Sequence, residues 1–436
     1  MGHMNGHGIY QELGVKIDGL TIRAPWNQTF YDILRELYSE EEADFIVKMP
    51  NVLSTIERIE KITKYEKKRL AGLLESLTSK GLVLDLMFDG EYHYMPSPMV
   101  VGIFEFTMMR TGENFDTRKL AKLFHTYLQA DSLYAANFGH GEQVSIARTL
   151  PYEGSIKESA YTEVLDYEKA TALVRDCDKF AIGYCSCRRE KLLAEAKECD
   201  TPLETCSQFG YAADFMIRHN LAKEVSKSEM MENIARSKEM GLVLNADNVK
   251  RNIMFICHCC GCCCNLLLGI RRHGYANTVV TSSFIAETND DLCIGCGKCA
   301  NACPISARRM VPPVNLEMKG KRKSITDTSF CIGCGVCASQ CKTGALKLVK
   351  RGQRVIHPES IFERILLQCL ERGTLQNQIF DNPQSVTHTF MRGFIGGFLK
   401  LTPVKKTLMS DMLRSSFLNI MKSGTKLIGK GSIIEM

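Results

Sequence analysis

From Phe30 onward the apolar positions recur with a helical period. Phe30, Ile33, Leu34 and Leu37 fall on one face, and Phe45, Ile46 and Met49 carry it into a second short element. A longer helix is predicted over about Lys64–Ser79, where Leu70, Leu73, Leu74 and Leu77 share a face and Gly81 stops the run. The strings LVLDLMF and EYHYMP, joined by Asp89-Gly90, then predict a β-hairpin. Residues 1–29 carry no such period and are read as irregular. Residues 99–175 read as mostly helical, with a loop around Gly139–Ser155. Further helices are expected over about Tyr211–Asn220 and Ser228–Met240. Near the end, helices around 358–372 and 405–422 are predicted, joined by a flexible glycine-rich segment, RGFIGGF.

The early helices followed by a hairpin are winged-helix-like. Many such domains bind DNA, which requires Lys and Arg to neutralise phosphates. The stretch EKKRLAGLLESLTSKGLVLDL has mixed charge instead. A docking or scaffold role is therefore expected, and no nucleic acid.

The chain of 436 residues is 45% apolar and 24% charged, as a globular protein requires. No uncharged apolar run reaches the roughly 18 residues of a membrane-spanning helix. The start, MGHMNGHGIYQELG, does not have the pattern of a secretory signal, so a cytoplasmic location is expected. In a reducing compartment twenty cysteines are not a disulfide framework. Eight lie in two short repeats, eleven lie between Cys177 and Cys264, and Cys369 stands alone. Thiols clustered in this way point to metal.

The repeats are CIGCGKCANACP and CIGCGVCASQCK. The spacing C-x2-C-x2-C-x3-C wraps three thiolates round one 4Fe–4S cube and sends the fourth to the other cube. Cys293, Cys296, Cys299 and Cys341 are thus assigned to one cluster, and Cys331, Cys334, Cys337 and Cys303 to the second. Gly295, Gly297, Gly333 and Gly335 suit a backbone folded tightly round a cube. The module resembles the bacterial two-cluster ferredoxins over about 60 residues. Two departures are Lys342, where a second proline would stand, and the basic linker MKGKRKS. Neither alters the ligand set. Zinc is the alternative for these thiols, but two zinc sites do not require this spacing twice.

A second constellation lies upstream. It comprises Cys185, Cys187, Cys199 and Cys206, then Cys257, Cys259, Cys260, Cys262, Cys263 and Cys264 in the run ICHCCGCCCN. One or two further 4Fe–4S clusters are expected here, with a zinc site or plain packing as alternatives. Cys185, Cys187, Cys199 and Cys206 are grouped near one cluster and the later thiols near another, with ligation mixed between the two segments equally physical. Cys259 and Cys260, as neighbours, are expected to face different centres, or one of them to be structural. Arg188 could offset cluster charge, and His258 is a weak candidate ligand. With Gly241-Leu242-Val243 to Asn248, these residues resemble a family of multi-cluster iron–sulfur proteins from anaerobes, whose members also begin with a winged-helix-like region. The resemblance implies electron transfer within a larger redox system.

The reading is an α+β, mostly helical chain. Its parts are a winged-helix-like domain over 30–110, a helical cysteine-rich domain over 111–280, a two-cluster ferredoxin-like domain over 284–350, and a helical basic tail over 351–436. There is no GxGxxG or GxxxxGK[ST] fingerprint, so neither flavin nor nicotinamide is expected. The expected function is electron relay to or from a redox partner, such as an oxidoreductase subunit or a soluble ferredoxin. A reductase with an unusual middle cluster and a redox-sensing regulator are the alternatives. From Thr387 onward eight Lys/Arg face two Asp/Glu, a net +6 that equals the net charge of the whole chain. Leu408, Met412, Phe417 and Ile420 form an apolar stripe there, which allows peripheral contact with the inner membrane surface.

Overall fold

The computed structural model describes residues 5–427, apart from 112–114, 162–163, 313–321, 353–354 and 356, together with Ile434. About half of the chain is helical, and twelve strands form one six-stranded sheet and three two-stranded ones among the described residues. The chain is a mixed α/β protein.

The N-terminal part is a helical layer round its own core. Residues 5–18 are helical and not irregular, because Tyr10, Leu13 and Ile17 recur at helical spacing and are buried against Phe30, Ile33 and Leu34. The helix predicted over Lys64–Ser79 forms as Lys67–Ser79, and a further helix, Ile56–Thr63, precedes it and ends at Lys64, whose φ is +63°. The hairpin forms where its turn predicts, as β1 (Val83–Phe88) and β2 (Glu91–Pro96). Asp89 and Gly90 have φ of +50° and +84°, which matches the right-handed twist of the strands they join.

The region read as a helical cysteine-rich domain contains a six-stranded antiparallel sheet. Its strands are β3 (Ala147–Leu150), β4 (Phe180–Tyr184), β5 (Glu204–Phe209), β6 (Ala222–Glu224), β7 (Val243–Asp247) and β8 (Phe255–Cys259), in the order β3-β7-β8-β5-β4-β6. These strands do not alternate polar and apolar residues, which is why they escape a pattern reading. Thr205, Ser207, Asn245, Asp247 and His258 are all buried in them. Several are paired across the fold: Ser207 Oγ lies 2.8 Å from His258 Nε2, Asn233 Nδ2 donates to Ser207 Oγ at 3.0 Å, and Arg364 pairs with Asp247 at 3.1 Å. The helices expected near 211 and 228 are Gly210–Arg218 and Lys227–Glu239, the second opened by a Ser226/Glu229 capping box.

The ferredoxin-like module pairs β9 (Phe284–Thr288) with β12 (Leu346–Lys350), and β10 (Arg308–Val311) with β11 (Lys323–Thr326). Most of the basic linker, 318–321, lies outside the described residues. The module shares one hydrophobic core with the sheet, in which Ile256, Cys259 and Leu267 pack together with Ile332, Cys334 and Leu348.

In the tail, RGFIGGF is helical and not a flexible joint; it belongs to the helix Val386–Leu399. The segment near 405–422 breaks at Ser410 into Thr402–Met409 and Asp411–Leu427. Leu408 and Phe417 pack on the core of the helix Ile361–Arg372, so only Met412 and Ile420 of the expected stripe are strongly exposed.

Candidate metal centres

In the ferredoxin-like module the two repeats enclose two voids. One is lined by Cys331, Cys334, Cys337 and Cys303, the other by Cys293, Cys296, Cys299 and Cys341. Each void takes three thiols from one repeat and the fourth from the other. Gly295, Gly297, Gly333 and Gly335 have φ between +67° and +83°. A Cβ at Gly333 would stand 2.1 Å from the Phe284 carbonyl oxygen, and one at Gly295 would stand 2.6 Å from that of Arg322. Tight loops, converging thiols and a void at their centre fit a 4Fe–4S cube in each position. The voids differ in depth. Cys331, Cys334 and Cys337 are buried, whereas Cys296 is exposed and Cys293, Cys299 and Cys341 are partly so.

The middle thiols fall into two groups that cut across the chain segments. The first contains Cys185, Cys187, Cys206, Cys257, Cys259 and Cys264. Cys185 follows β4 and begins the helix Ser186–Leu193, which carries Cys187 in its first turn. β5 pairs with β8 with Ser207 opposite Ile256, a register that sets Cys206 opposite Cys257. Cys257 and Cys259 share a face of β8 because strand side chains alternate. Thiol contacts run from Cys206 to Cys257, to Cys259, to Cys264 and to Cys187. Cys185 interacts with both Cys187 and Cys206 and so closes a ring. Hydrogen bonds from Cys257 and Cys264 bring the Cys259 thiol down to about 6, while burial pushes Cys185 up.

The second group is Cys199, Cys260, Cys262 and Cys263. Cys259 and Cys260 therefore face different groups. Cys199 does not join Cys185, Cys187 and Cys206 as grouped from the sequence. It sits in the non-regular stretch after the helix Ser186–Leu193, on the side reached by the turn after β8. Ligand groups are thus mixed between the two segments. Cys177 and Cys369 join neither group.

Polar side chains of both signs are buried around these thiols. Arg188 is fully buried and donates to the His258 carbonyl at 2.8 Å, lies 3.9 Å from Cys260 Sγ, and bonds Thr205 Oγ1. Burial opposes its charge, but the thiols of Cys185 and Cys260 outweigh it and hold the guanidinium firmly charged. His258 points to the other face, toward Ser207. Burial, with Arg188 and Arg236 nearby, pushes its imidazole down to about 3. It stands apart from the thiols as a neutral packing residue. Sequence reasoning missed a further network. Asn265 Nδ2 lies 3.7 Å from Cys187 Sγ, and Lys191 Nζ reaches Asn265 Oδ1 at 3.1 Å and Glu190 at 2.6 Å. The signal was available, since Lys191 follows Cys187 by one helical turn and Asn265 follows Cys264 directly.

A cavity of about 250 Å³ opens beside the six-thiol ring. All six ring thiols line it, and its other walls are mostly apolar, including Leu84, Leu86 and Met95 of the hairpin, Phe104, and Met254, with Arg188, His258, Asn265 and Arg364 among the polar lining residues. The hairpin is fastened over it by Asp85, which binds Arg218 at 2.6 Å and His219 at 2.7 Å. One carboxyl enters this wall, that of Glu105. The Gly102 amide donates to it at 3.1 Å from a bulged turn in which Val101 has φ of +52°, a strained angle for a β-branched residue. Burial, offset in part by these amides, pushes Glu105 up to about 7.

No curated protein and no solved structure matches the chain. Its iron–sulfur character rests on the module whose two voids gather the eight repeat thiols: residues 292–345 match the family model of the 4Fe-4S dicluster domain.

Proposed function

We propose that the chain is an electron-transfer subunit, passing single electrons between a partner protein at its ferredoxin face and a redox centre held by the six-thiol ring. One contact carries this reading. A Cβ on Gly261, inside the run Cys257–Cys264, would lie 2.4 Å from the carbonyl oxygen of Pro304, the residue after Cys303. The turn that joins the ring thiols Cys259 and Cys264 thus touches the backbone that bears a ligand of the buried void, and those two thiols share one hydrophobic core with Cys331, Cys334 and Cys337. Bound 4Fe–4S clusters supply the one-electron capacity. The chain supplies depth, contact and charge: exposed thiols outside, buried ones inside, and Arg188 with Lys191 beside the ring. Leu292, Ile294 and Ile325 are exposed around the outer void and suit an apolar partner face.

Anaerobic purification with iron counting, and EPR after reduction, tests the proposal. More than about 8 irons per chain is expected, with Cys257→Ser removing about 4 and sparing the ferredoxin pair. A count of about 8 in the parent chain would reject the middle cluster.

A second reading has its own observation. The ring has six thiols where a cube takes four, and the adjoining apolar cavity holds a single carboxyl, Glu105. On this reading the middle centre reduces a small apolar molecule. Difference spectra of the loaded protein with a panel of neutral aromatic and aliphatic compounds test it, and no perturbation by any of them counts against it.

The tail adds a proposal of peripheral contact with an anionic lipid surface. Val386, Phe390, Phe394 and Phe398 recur every fourth residue along one helix and are exposed, on a segment of net +6 from Thr387 onward.

A further inference from the structure

Cys199, Cys260, Cys262 and Cys263 are packed far more tightly than any ligands of a cube. Cys199 Sγ lies 3.9 Å from both Cys260 Sγ and Cys263 Sγ, Cys262 Sγ lies 3.6 Å from Cys263 Sγ, and all four sulfurs lie within 4.8 Å of one another. We propose that these four thiols hold one tetrahedral divalent ion, zinc or ferrous iron, separate from every cluster of the chain.

The distances decide between one ion and four. With metal–sulfur bonds of about 2.3 Å, a tetrahedral site sets its sulfurs about 3.8 Å apart. A cube places each thiolate on a different iron at a different corner, so its ligands stand round the whole body of the cluster. The ferredoxin-like module supplies the comparison within the same chain. Among the described residues, no other set of three or more metal-binding side chains gathers its ligand atoms within 4.8 Å. The eight repeat thiols, spaced round their voids, do not.

The donor set points the same way. Four thiolates with no open position make a closed site of the structural kind. Such a site leaves net negative charge, and Arg188 stands 3.9 Å from Cys260 Sγ to meet it. It also has mechanical work to do. Cys199 lies in the non-regular stretch between the helix Ser186–Leu193 and β5, and the other three ligands lie in the turn between β8 and the helix Asn265–Arg271. One ion would tie that stretch to that turn on the far side of the backbone from the six-thiol ring.

The test uses the full chain purified anaerobically, with zinc and iron measured together. The parent chain and Cys199→His, which keeps a ligand at that position, are expected to hold the ion. Cys199→Ala is expected to lose about one zinc or one iron per chain, with the EPR of the reduced ferredoxin pair unchanged. Which metal falls identifies the ion. Exchange with Co²⁺ should add tetrathiolate absorption bands to the parent chain that are absent from Cys199→Ala. Loss of about four irons would show a cube and overturn the proposal, as would no metal loss with the cobalt bands kept. The proposal does not depend on the middle cluster, because the cluster is read through Cys257→Ser and EPR, and this ion through Cys199 and cobalt.

Discussion

At the scale of single residues, a cluster protein shows where its backbone has no room to spare. Gly333 is the sharpest case. Its φ of +70° costs a side-chain-bearing residue about 1–2 kcal/mol before any clash is counted. A Cβ would also stand 2.1 Å from the Phe284 carbonyl oxygen and 2.3 Å from Ser282 Oγ. Gly333→Ala is therefore expected to destabilise the chain by at least about 2 kcal/mol and to cost the inner void its cluster, which melting curves and iron counts would show together. Glu105 makes a different prediction. Its carboxyl is pushed from an ordinary 4.5 to about 7, so the folded protein resists its ionisation. Stability should fall as pH rises from about 4.5 to about 7 and stay lower above that. Its open surface lies along the cavity and not the outside of the protein, which tempers the effect. Glu105→Gln is expected to stabilise the chain by about 2 kcal/mol at pH 8 and to match the parent at pH 4, as denaturant titrations at the two values would show.

At the scale of elements, what was legible was whatever a repeat or a period announced. The ferredoxin spacing, the hairpin turn at Asp89-Gly90 and the helix Lys227–Glu239 with its cap all sit where local sequence signals put them. The six-stranded sheet was not legible. Its strands are short and bury Ser207, Asn245 and His258, whose hydrogen-bond partners lie far off in sequence and carry no local signal. For the same reason the grouping of the middle thiols could not be read. It depends on the register of β5 against β8, which sets Cys206 beside Cys257, and on a non-regular stretch that carries Cys199 away from Cys185 and Cys187. RGFIGGF was misread because three glycines suggest a joint, whereas the packing of Ile395 and Leu399 on the neighbouring helices keeps it helical. The hairpin adds a prediction at this scale. Asp85→Ala leaves Arg218 and His219 without their shared partner and should cost about 2 kcal/mol. Because the hairpin walls the six-thiol cavity, the variant should also lose middle-site iron to a chelator several-fold faster than the parent, while the ferredoxin pair keeps its ordinary rate.

At the scale of the whole molecule there are three large cores, a helical N-terminal layer, a sheet fused to the ferredoxin-like module, and a helical tail, and the tail also meets the N-terminal layer directly, where Arg58 pairs with Asp381 at 2.8 Å. No helix among the described residues is long and apolar enough to cross a membrane. The aromatic row on Val386–Leu399 is expected to bind vesicles from its surface instead. Flotation with vesicles rich in anionic lipid should recover the parent chain, and the double change Phe390→Ser with Phe394→Ser should leave it in the load fraction; equal flotation of the two would reject lipid contact through this helix.

The crossing of ligands between the two repeats bears on how such a chain is made. Cys341 closes the outer void, which otherwise belongs to the first repeat, and Cys303 waits in the first repeat for a void that belongs to the second. A ribosome that has released residues only as far as the linker has exposed three thiols for one cube and a single thiol for the other. The inner set is complete only once Cys337 has emerged, and the outer set only once Cys341 has. Iron delivery to this module is therefore a late step of biosynthesis, with both ligand sets completed within the second repeat, and a chain cut short between the repeats would be left holding incomplete ligand sets open to oxidation.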